Sequence, residues 1–411
     1  MAFAALGLTE PFLTTLAELG YAQPTAVQQQ AIPAILAGRD VLAGAQTGTG
    51  KTAAFLLPQM QRLLAVKPAA PAAPLLLIIA PTRELAQQVA DSSGRYAAAT
   101  RLRTAVACGG VSLRPQTEAL AGGIEILVAT PGRLLDLLRQ QALTLAQVQT
   151  LVLDEADRML DLGFSDEIHA ILRQLPAQHQ TLFFSATFAR TVKDLAFSML
   201  RDPLQIDVTP ENSAVDSIRQ TLYQLDRSKK AAALAYLIGA GNWQQVLVFV
   251  RTKQGADALV SELKLDGISA DALHGDRSQG ARQRALDDFR GGKLRVLVAT
   301  DVAARGIDIV SLNYVVNYEL PFHAEDYVHR IGRTGRAGRD GHAISLVSAD
   351  EENLLDAIGE LTGRPLPMIW LTGFEPSFDE APARRGNPRR QRAKAKARAK
   401  AQATYGIRKK K

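Results

Sequence analysis

The segment 41–64 constrains the fold of this chain more than any other. Val41-Leu42-Ala43-Gly44 is a short apolar run typical of a buried strand, and Ala45-Gln46-Thr47-Gly48-Thr49-Gly50-Lys51-Thr52 follows it directly. From residue 53 to 64 the apolar residues recur at helical spacing. A strand that enters a helix through a glycine-bearing loop predicts an α/β fold with a phosphate-binding loop.

The residues of this loop have the chemistry that a nucleoside triphosphate requires. Gly48 and Gly50 permit backbone angles that other residues avoid, so successive N–H groups can point inward. Lys51 is predicted to reach the β- and γ-phosphates, and Thr52 to place its hydroxyl on Mg²⁺. Ala45 stands where the general pattern has its first glycine, and a Gly- and Thr-rich surface turn is the alternative interpretation of the loop alone.

Similar apolar runs alternate with helix-like stretches along the rest of the chain. We predict buried parallel strands at Val41–Gly44, Leu75–Ala80, Glu125–Ala129, Thr150–Leu153, Thr181–Phe184, Val246–Val250, Arg295–Ala299, Tyr314–Asn317 and Ala343–Val347. These are too many strands for one modest sheet, and a polar stretch near residue 209 breaks the pattern. The predicted organisation is a domain at 1–208, a linker at 209–215, a domain at 216–372 and a tail at 373–411.

The charge is distributed unevenly between the body of the chain and its end. The net charge is +7, but residues 381–411 hold 13 Lys and Arg and no acidic residue, which leaves 35 basic and 41 acidic side chains in residues 1–380. This composition predicts an acidic folded body and a basic tail that is disordered when free. A basic tail favours a polyanionic partner such as nucleic acid, with a mere solubility role as the alternative.

Cysteine, histidine and hydropathy patterns exclude several classes of protein. Cys108 is the single cysteine, so an internal disulfide or a cysteine-based metal site is excluded, and the six histidines include no close-spaced pair. The longest aliphatic run, 75–80, is far short of a membrane span. The N-terminal residues lack the pattern of a leader peptide. We therefore expect a soluble, cytoplasmic protein with no membrane partner.

A second chemical motif follows a predicted strand. Leu151-Val152-Leu153 leads directly into Asp154-Glu155-Ala156-Asp157. Adjacent carboxylates at the carboxyl end of a strand can hold a metal ion and orient an attacking water. An acidic tetrapeptide alone is more often a solvated helix start, but the phosphate-binding loop upstream favours a nucleoside triphosphatase.

Together these and other motifs resemble one family, the DEAD-box RNA helicases of superfamily 2. The matching segments, from residue 3 to about 378, are 20–28 (GYAQPTAVQ), 81–85 (PTREL), 109–110 (GG), 130–133 (TPGR), 154–157 (DEAD), 185–187 (SAT), 248–250 (VFV), 279–282 (QGAR), 299–308 (ATDVAARGID) and 329–336 (HRIGRTGR). The resemblance implies two tandem RecA-like parallel-sheet domains with a flexible linker. The segment 373–376 (GFEP) and the short basic tail resemble the bacterial RhlE-type branch.

The resemblance implies a complete ATP site. Catalysis falls to Lys51, to Asp154, which holds Mg²⁺ with Thr52, to Glu155, which orients and deprotonates the attacking water, and to Arg333 and Arg336 as arginine fingers. Gln28 would bind the adenine edge and Phe3 would stack on it. The remaining residues expected to bind ATP are Tyr21, Gln23, Ala45, Gln46, Thr47, Gly48, Thr49, Gly50 and Asp308. Arg333 and Arg336 are three apart, so we expect one helix face to carry both.

The resemblance also implies RNA contacts and residues that couple them to hydrolysis. Asp157 would link the ATP site to Ser185, Thr187 and His329. RNA would be bound by Pro81, Thr82, Arg83, Gly110, Thr130, Gly132, Arg133, Thr252, Gln279, Arg282, Thr300, Asp301 and Arg305. Most of these are N–H donors, hydroxyls or arginines, which bind phosphates and 2′-hydroxyls without reading bases. Taken singly, each is more commonly a cap or a turn residue.

The expected activity is ATP-dependent local unwinding of short RNA duplexes, or remodelling of RNA–protein complexes, by closure of two domains on single-stranded RNA. The chain is expected to act as a monomer, with ribosomal particles or RNA-decay machinery as candidate partners. Two alternatives stay open at this stage. One is a DNA-directed helicase of the same superfamily, and the other is an ATP-gated RNA clamp for which binding matters more than unwinding.

Overall fold

Two compact units make up the chain. The computed structural model describes residues 2–45, 49–66, 72–188, 190–208, 218–304, 312–335, 341–363 and 365–377. One unit comprises Met1–Ser213 with Ala303–Val310, and the other comprises Ala214–Val302 with Ser311–Lys411. The predicted linker at 209–215 and the basic segment 381–411 lie outside the described residues.

The first unit is built on a seven-stranded parallel sheet. Its strands are β1 (Val41–Gly44), β2 (Leu76–Ile79), β3 (Thr104–Ala107), β4 (Ile126–Ala129), β5 (Thr150–Leu153), β6 (Gln180–Ser185) and β7 (Leu204–Asp207). Their order across the sheet is β3-β4-β2-β5-β6-β1-β7, and every neighbouring pair is parallel. Parallel neighbours require crossover connections, and helices supply them.

The helices of this unit connect and cover the strands. They are α1 (Phe12–Glu18), α2 (Ala26–Leu36), α3 (Lys51–Leu63), α4 (Arg83–Tyr96), α5 (Arg114–Ala121), α6 (Pro131–Arg139), α7 (Ala156–Asp161), α8 (Ser165–Leu172) and α9 (Arg190–Met199). A short 3₁₀ helix, Phe3–Leu6, precedes them. Val41 and Ala43 of β1 pack into one hydrophobic cluster and Leu42 into another, so both faces of the sheet are buried.

The second unit repeats the same topology. Its strands are β8 (Ile218–Gln224), β9 (Val246–Val250), β10 (Ala270–Leu273), β11 (Val296–Thr300), β12 (Tyr314–Asn317), β13 (Gly341–Val347) and β14 (Met368–Trp370). The order β10-β11-β9-β12-β13-β8-β14 is again third, fourth, second, fifth, sixth, first and seventh along the unit. All neighbouring pairs are parallel. The two parallel sheets agree with the predicted pair of RecA-like domains.

Six α-helices accompany this second sheet in the described part of the unit. They are α10 (Lys230–Ala240), α11 (Lys253–Leu265), α12 (Gln279–Arg290), α13 (Asp301–Ala304), α14 (Ala324–Ile331) and α15 (Glu352–Thr362), with 3₁₀ turns at Arg227–Lys229 and Ala349–Glu351. Hydrophobic clusters again lie on the two faces of the sheet, with Ile344 in one and Ala343 in the other.

The sequence predicted nine of these fourteen strands, and the missed ones share a physical feature. Strands such as β2, β4 and β5 are buried at every residue, which produces a continuous apolar run. The missed strands are β3, β7, β8, β10 and β14. Four of them lie at sheet edges and the fifth, β8, lies next to an edge, so all are partly exposed, and all but β14 carry polar residues.

The end of the second unit lies further along the chain than predicted. Residues 373–377 were assigned to the tail, but they pack against the unit. The Phe374 ring lies 5.6 Å from the Tyr236 ring, and the Asp226 carboxylate accepts hydrogen bonds from the Ser377 N–H at 2.9 and 3.0 Å. The folded unit therefore extends at least to residue 377.

The structure adds one observation on membrane spans and one on Cys108. No helix among the described residues is long and apolar enough to cross a membrane. Cys108 is buried, and burial raises the pKa of its thiol to about 12, so it is a poor nucleophile.

Candidate functional site

The predicted catalytic residues of the first unit lie at one edge of its sheet. The loops after β1, β2, β4, β5 and β6 all leave the carboxyl ends of parallel strands, and these ends face the same side. This edge carries Ala45, Pro81, Thr130 and Asp154, and Ala45 N–H donates to the carbonyl of Ser185 at 2.9 Å. Ligand sites of open parallel sheets form at this edge.

The described part of the phosphate-binding loop is held by Gln28. Gly50 is the N-cap of α3 and has a φ of 91°, a conformation that favours glycine. The Gln28 Nε2 donates to the Gly50 carbonyl at 3.1 Å, and a Cβ built on Gly50 would overlap that side-chain amide. Thr52 lies in the first turn of α3. The predicted ligands Gln46, Thr47 and Gly48 lie outside the described residues.

Lys51 and Asp154 form the polar centre of this edge. The Lys51 Nζ lies 4.0 Å from Asp154 Oδ1, and the two residues expose only 6% and 2% of their surface. Neither atom has a hydrogen-bond partner within the described part of the chain. Burial raises the pKa of Asp154 to about 6, and Lys51 opposes this rise. A buried ammonium and a carboxylate oxygen that both lack hydrogen-bond partners there fit a site that phosphate oxygens and a hydrated divalent cation would complete.

The backbone at Glu155 is unusual. Glu155 is the N-cap of α7 with φ 53° and ψ 54°, a left-handed conformation that is uncommon for a residue with a side chain. Only 8% of its surface is exposed. The turn allows the chain to leave β5 and start α7 while Asp154 and Glu155 stay at the sheet edge.

Asp157 connects α7 to the end of β6. Its Oδ2 accepts hydrogen bonds from the N–H groups of Ala186 and Thr187, both at 3.1 Å, and from the Thr187 hydroxyl at 3.3 Å. The Ser185 hydroxyl donates to the Thr187 carbonyl at 2.8 Å. One carboxylate thus organises the whole Ser-Ala-Thr turn, two residues after Glu155.

The residues predicted to bind adenine lie in different surroundings from one another. Gln28 is buried, and its Oε1 accepts from the Thr25 N–H at 2.9 Å as part of a capping box on α2. Phe3 packs in the hydrophobic core and is 5% exposed. The Tyr21 hydroxyl is 3.1 Å from that of Tyr96, and Gln23 is exposed. Adenine stacking by Phe3 stays a prediction.

The predicted RNA residues of this unit lie at helix starts. Thr82 caps α4 by accepting from Leu85 N–H, and Thr130 is the N-cap of α6, which begins with Pro131 and Gly132. The Arg83 guanidinium covers Gly110, where a Cβ would overlap it. Arg133 donates from Nη2 to the Val111 carbonyl at 3.0 Å. Its buried Nη1 lacks a partner among the described residues.

The predicted RNA-binding residues of the second unit lie in the first turns of helices and at the end of a strand. Thr252 caps α11 through the Gly255 N–H, and Gln279 begins α12, which Ser278 caps and which also carries Arg282. Thr300 ends β11 and is buried. Asp301 begins α13, but its carboxylate is engaged by Arg330 at 2.6 and 2.7 Å.

The structure corrects the expected placement of the arginine fingers. The helix α14 ends at Ile331 with Gly332 as its C-cap, so Arg333 lies beyond this helix and not on its face. Glycines at 332 and 335 stop the helix there. His329 is half-buried in the last turn of α14. Arg305, Asp308 and Arg336 lie outside the described residues.

Sequence reasoning overlooked one prominent charged residue, Arg330. It is 1% exposed and is among the largest fully buried side chains of the described chain. Its position between His329 and Arg333 in a basic run was the available signal, since an arginine in an amphipathic last turn needs a partner when it faces the core.

Comparison with known proteins identifies the family. The DEAD/DEAH box helicase family matches residues 25–195, and the helicase conserved C-terminal domain matches residues 229–338. The RNA helicase CrhR of Synechocystis is 45% identical over 358 residues, which cover 87% of this chain and 72% of CrhR. The ATP-dependent RNA helicase SrmB of Escherichia coli is 41% identical over 376 residues, covering 91% and 85%.

A solved structure agrees with these relatives. S. cerevisiae Dbp5 bound to RNA and ADP BeF3 superposes with a TM-score of 0.81 at 34% identity, covering 92% of this chain and 96% of Dbp5. Its likeness extends over both units rather than over the nucleotide-binding fold alone. Sequence identity, the two family models and the geometry around Lys51 and Asp154 lead to one assignment, and the chain belongs to the DEAD-box RNA helicase family.

Proposed function

We propose that this protein is an ATP-dependent RNA helicase that unwinds short duplexes or remodels RNA–protein complexes while hydrolysing ATP to ADP and phosphate. The observation that carries the proposal is the buried pair Lys51 and Asp154, whose facing atoms lack hydrogen-bond partners among the described residues. Three residues after Asp154, Asp157 ties the same edge to the Ser-Ala-Thr turn. A site built only for stability would give both of these buried atoms hydrogen-bond partners.

The nucleotide and its metal would be held by the first unit. Lys51 and the N-terminus of α3 would bind the phosphates, and Thr52 and Asp154 would hold Mg²⁺, with Asp154 acting through water. Mg²⁺ would offset phosphate charge in the reaction. Glu155 would orient the attacking water and accept its proton. Gln28 keeps one lone pair on Oε1 and one N–H for the adenine edge beyond its two internal bonds.

The RNA would be bound by helix starts and arginines rather than by base-reading side chains. Backbone N–H groups at helix starts such as those of α4, α6, α11 and α12 suit phosphate oxygens, and Arg133 retains a buried, unsatisfied donor among the described residues. This chemistry supports sequence-independent binding of single strands. We leave the Asp301 carboxylate out of the contact set because Arg330 already occupies it.

The family resemblance supplies the rest of the proposed cycle. ATP and RNA together would bring the two units into a closed state in which Arg333, Arg336 and Asp308 reach the nucleotide. RNA bent by that state cannot remain in an A-form duplex, and hydrolysis would reopen the units. We place the chain in the bacterial RhlE-type branch on its segment 373–376, and we propose that it acts as a cytoplasmic monomer.

The proposal is tested by nucleic-acid stimulation of ATP hydrolysis. Single-stranded RNA should stimulate phosphate release and DNA of the same sequence should not; equal stimulation by both would favour a DNA-directed enzyme. Lys51→Ala should remove the hydrolysis, whereas the exposed Gln30→Ala on α2 serves as a matched control. Stimulation of neither kind would overturn the helicase assignment.

An ATP-gated RNA clamp is the second candidate, because the same residues would serve it. Glu155→Gln keeps the size of the side chain but cannot accept the proton. In the proposed helicase this variant should retain RNA with ATP and lose multiple-turnover strand separation. Full rescue of the cellular function by Glu155→Gln would show that turnover is dispensable and that clamping is the essential activity.

A further inference from the structure

Arg330 is a fully buried charge with several hydrogen-bond partners at the carboxyl edge of the second sheet. Its Nε and Nη2 donate to the two carboxylate oxygens of Asp301 at 2.6 and 2.7 Å. Its Nη1 donates to the Asn317 Oδ1 at 3.1 Å and to the Glu319 carbonyl at 2.6 Å. The guanidinium carbon lies 5.0 Å from the centre of the Phe249 ring. The bidentate geometry is the strongest that an arginine and a carboxylate can form.

These contacts join several strand ends to one helix end. Phe249 belongs to β9, Asp301 directly follows β11, and Asn317 ends β12. Asn317 is fully buried and donates in turn to the Ser345 hydroxyl of β13 at 3.1 Å. Arg330 therefore fixes the last turn of α14 against four neighbouring strands.

The turn that carries Arg333 is built on this fixed point. The Arg333 N–H donates to the Arg330 carbonyl at 3.1 Å, and the Arg333 carbonyl accepts from Leu312 N–H at 3.1 Å. The Thr334 hydroxyl donates to the Leu312 carbonyl, and the whole residue is buried. Only two residues separate Arg330 from Arg333, and a backbone hydrogen bond joins them, so a displacement of Arg330 is expected to shift Arg333.

On the other side of the ion pair lies a predicted RNA-binding residue. Thr300 is the last residue of β11 and the immediate neighbour of Asp301. Asp301 is therefore attached by one peptide bond to the RNA-facing strand end and by two hydrogen bonds to the helix that precedes Arg333. The pair is a short covalent and hydrogen-bonded link from an RNA contact to a proposed arginine finger.

We infer that Asp301 is a positioning residue that acts through Arg330 to set the turn bearing Arg333, and that this pair transmits RNA binding at Thr300 to ATP hydrolysis. The inference rests on the proposed function. It replaces direct RNA recognition as the role of Asp301, because a carboxylate repels a phosphate and both of its oxygens, which could accept from a 2′-hydroxyl, already accept from the Arg330 guanidinium.

The test compares Asp301→Asn, Arg330→Lys and the double variant with wild type. Asn keeps the shape of Asp301 but not its charge, and Lys keeps the charge of Arg330 but not its fork. The matched control is Glu325→Gln, an exposed acid on the same helix. For each protein we measure the affinity for labelled oligo(U) without nucleotide, the kcat for ATP hydrolysis at saturating RNA, and the RNA concentration that gives half-maximal stimulation. All assays are run at a temperature well below the unfolding midpoint of each variant.

The positioning role predicts a specific split between these readouts. Each single variant should lose about tenfold to a hundredfold in RNA-saturated kcat, since small misplacement of a catalytic group costs that much. The affinity for oligo(U) without nucleotide should stay within about twofold of wild type. The kcat of the double variant should be no lower than that of the less active single variant. The control should match wild type.

Other outcomes overturn the inference in distinguishable ways. Weaker oligo(U) binding by Asp301→Asn alone, with kcat intact, would make Asp301 a direct RNA contact. A lower unfolding midpoint with unchanged kcat would reduce the pair to an ordinary buried ion pair. If wild type hydrolyses ATP without RNA stimulation, the proposed helicase function fails, whereas an equal loss of basal kcat in both variants would still support the positioning of Arg333.

Discussion

Gln28 and Gly50 are joined by a hydrogen bond of 3.1 Å that fixes the start of the phosphate-binding helix to the helix that precedes β1. The other end of the same amide caps α2 through the Thr25 N–H. A single glutamine thus ties two helix N-termini together. The proposed nucleotide recognition by Gln28 and the conformation at Gly50 therefore depend on the same side-chain amide.

Replacing Gln28 by Glu should weaken ATP binding. The variant keeps an oxygen for Thr25 but places a carboxylate oxygen against the Gly50 carbonyl, within a buried site. Loss of a buried hydrogen bond costs about 1–3 kcal/mol, so the KM for ATP should rise about tenfold. Steady-state hydrolysis at varied ATP measures this effect, with the exposed Gln30→Glu as its control.

The same experiment with GTP separates two roles of Gln28. If the side chain only supports the loop, ATP and GTP hydrolysis should weaken equally. If it also binds the adenine edge, the preference for ATP should fall as well. An unchanged KM for ATP would contradict both roles.

Some residues of the candidate site could be predicted from the sequence and others could not. Lys51, Asp154 and Glu155 follow apolar runs buried on both sheet faces, so their position at the sheet edge could be inferred from the pattern alone. Arg330 could not, because its partners Asp301 and Asn317 are 29 and 13 residues away and meet it only through the strand order. The helix end at Ile331 was visible in part, since Gly332 and Gly335 disfavour a helix beyond it.

Asp154→Asn should stabilise the nucleotide-free protein while removing its activity. Burial raises the pKa of Asp154 to about 6, from an ordinary value of 3.8. The folded state therefore holds this proton more tightly than the unfolded state does, and wild-type stability falls as pH rises from about 4 to above 6. The variant lacks this loss and should gain at most about 3 kcal/mol at neutral pH.

Thermal unfolding in EDTA between pH 4 and pH 8 measures this difference. The gap between the midpoints of Asp154→Asn and wild type should widen with pH and level off above the pKa of Asp154. Exposed Asp166→Asn should show no such gap. A variant less stable than wild type at pH 8 would mean that Lys51 compensates the buried charge fully.

Asp226→Asn should release the segment that leads into the basic tail. The Asp226 carboxylate accepts from the Ser377 N–H, from the Ser377 hydroxyl at 2.6 Å and from Lys229 Nζ at 2.8 Å. The hydrogen bond from Lys229 and those from Ser377 lower the pKa of Asp226 to about 2. The stabilisation is therefore present above about pH 4 and is lost as pH falls toward 2.

Hydrogen exchange of the 371–377 region detects this release. In Asp226→Asn the Ser377 amide should exchange faster at neutral pH, while amides of β9 and β11 keep their protection. Exposed Asp266→Asn, in the same unit, should leave the whole pattern unchanged. Unaltered exchange at Ser377 would show that Phe374 packing alone holds the segment.

Removing residues 381–411 should weaken RNA binding without impairing catalysis. The segment carries 13 Lys and Arg and no acidic residue, whereas residues 1–380 have more acidic than basic side chains. Each phosphate that a basic side chain neutralises releases counterions, so each lost contact should flatten the plot of log affinity against log salt by about 0.7 for single strands. The proposed catalytic residues all lie before residue 337, so kcat at saturating RNA should stay close to wild type. A tail of equal length with its Lys and Arg changed to Gln isolates charge from length and should behave like the deletion. Equal RNA affinity of all three proteins at low salt would show that the tail does not bind RNA, and would leave it with a role in solubility.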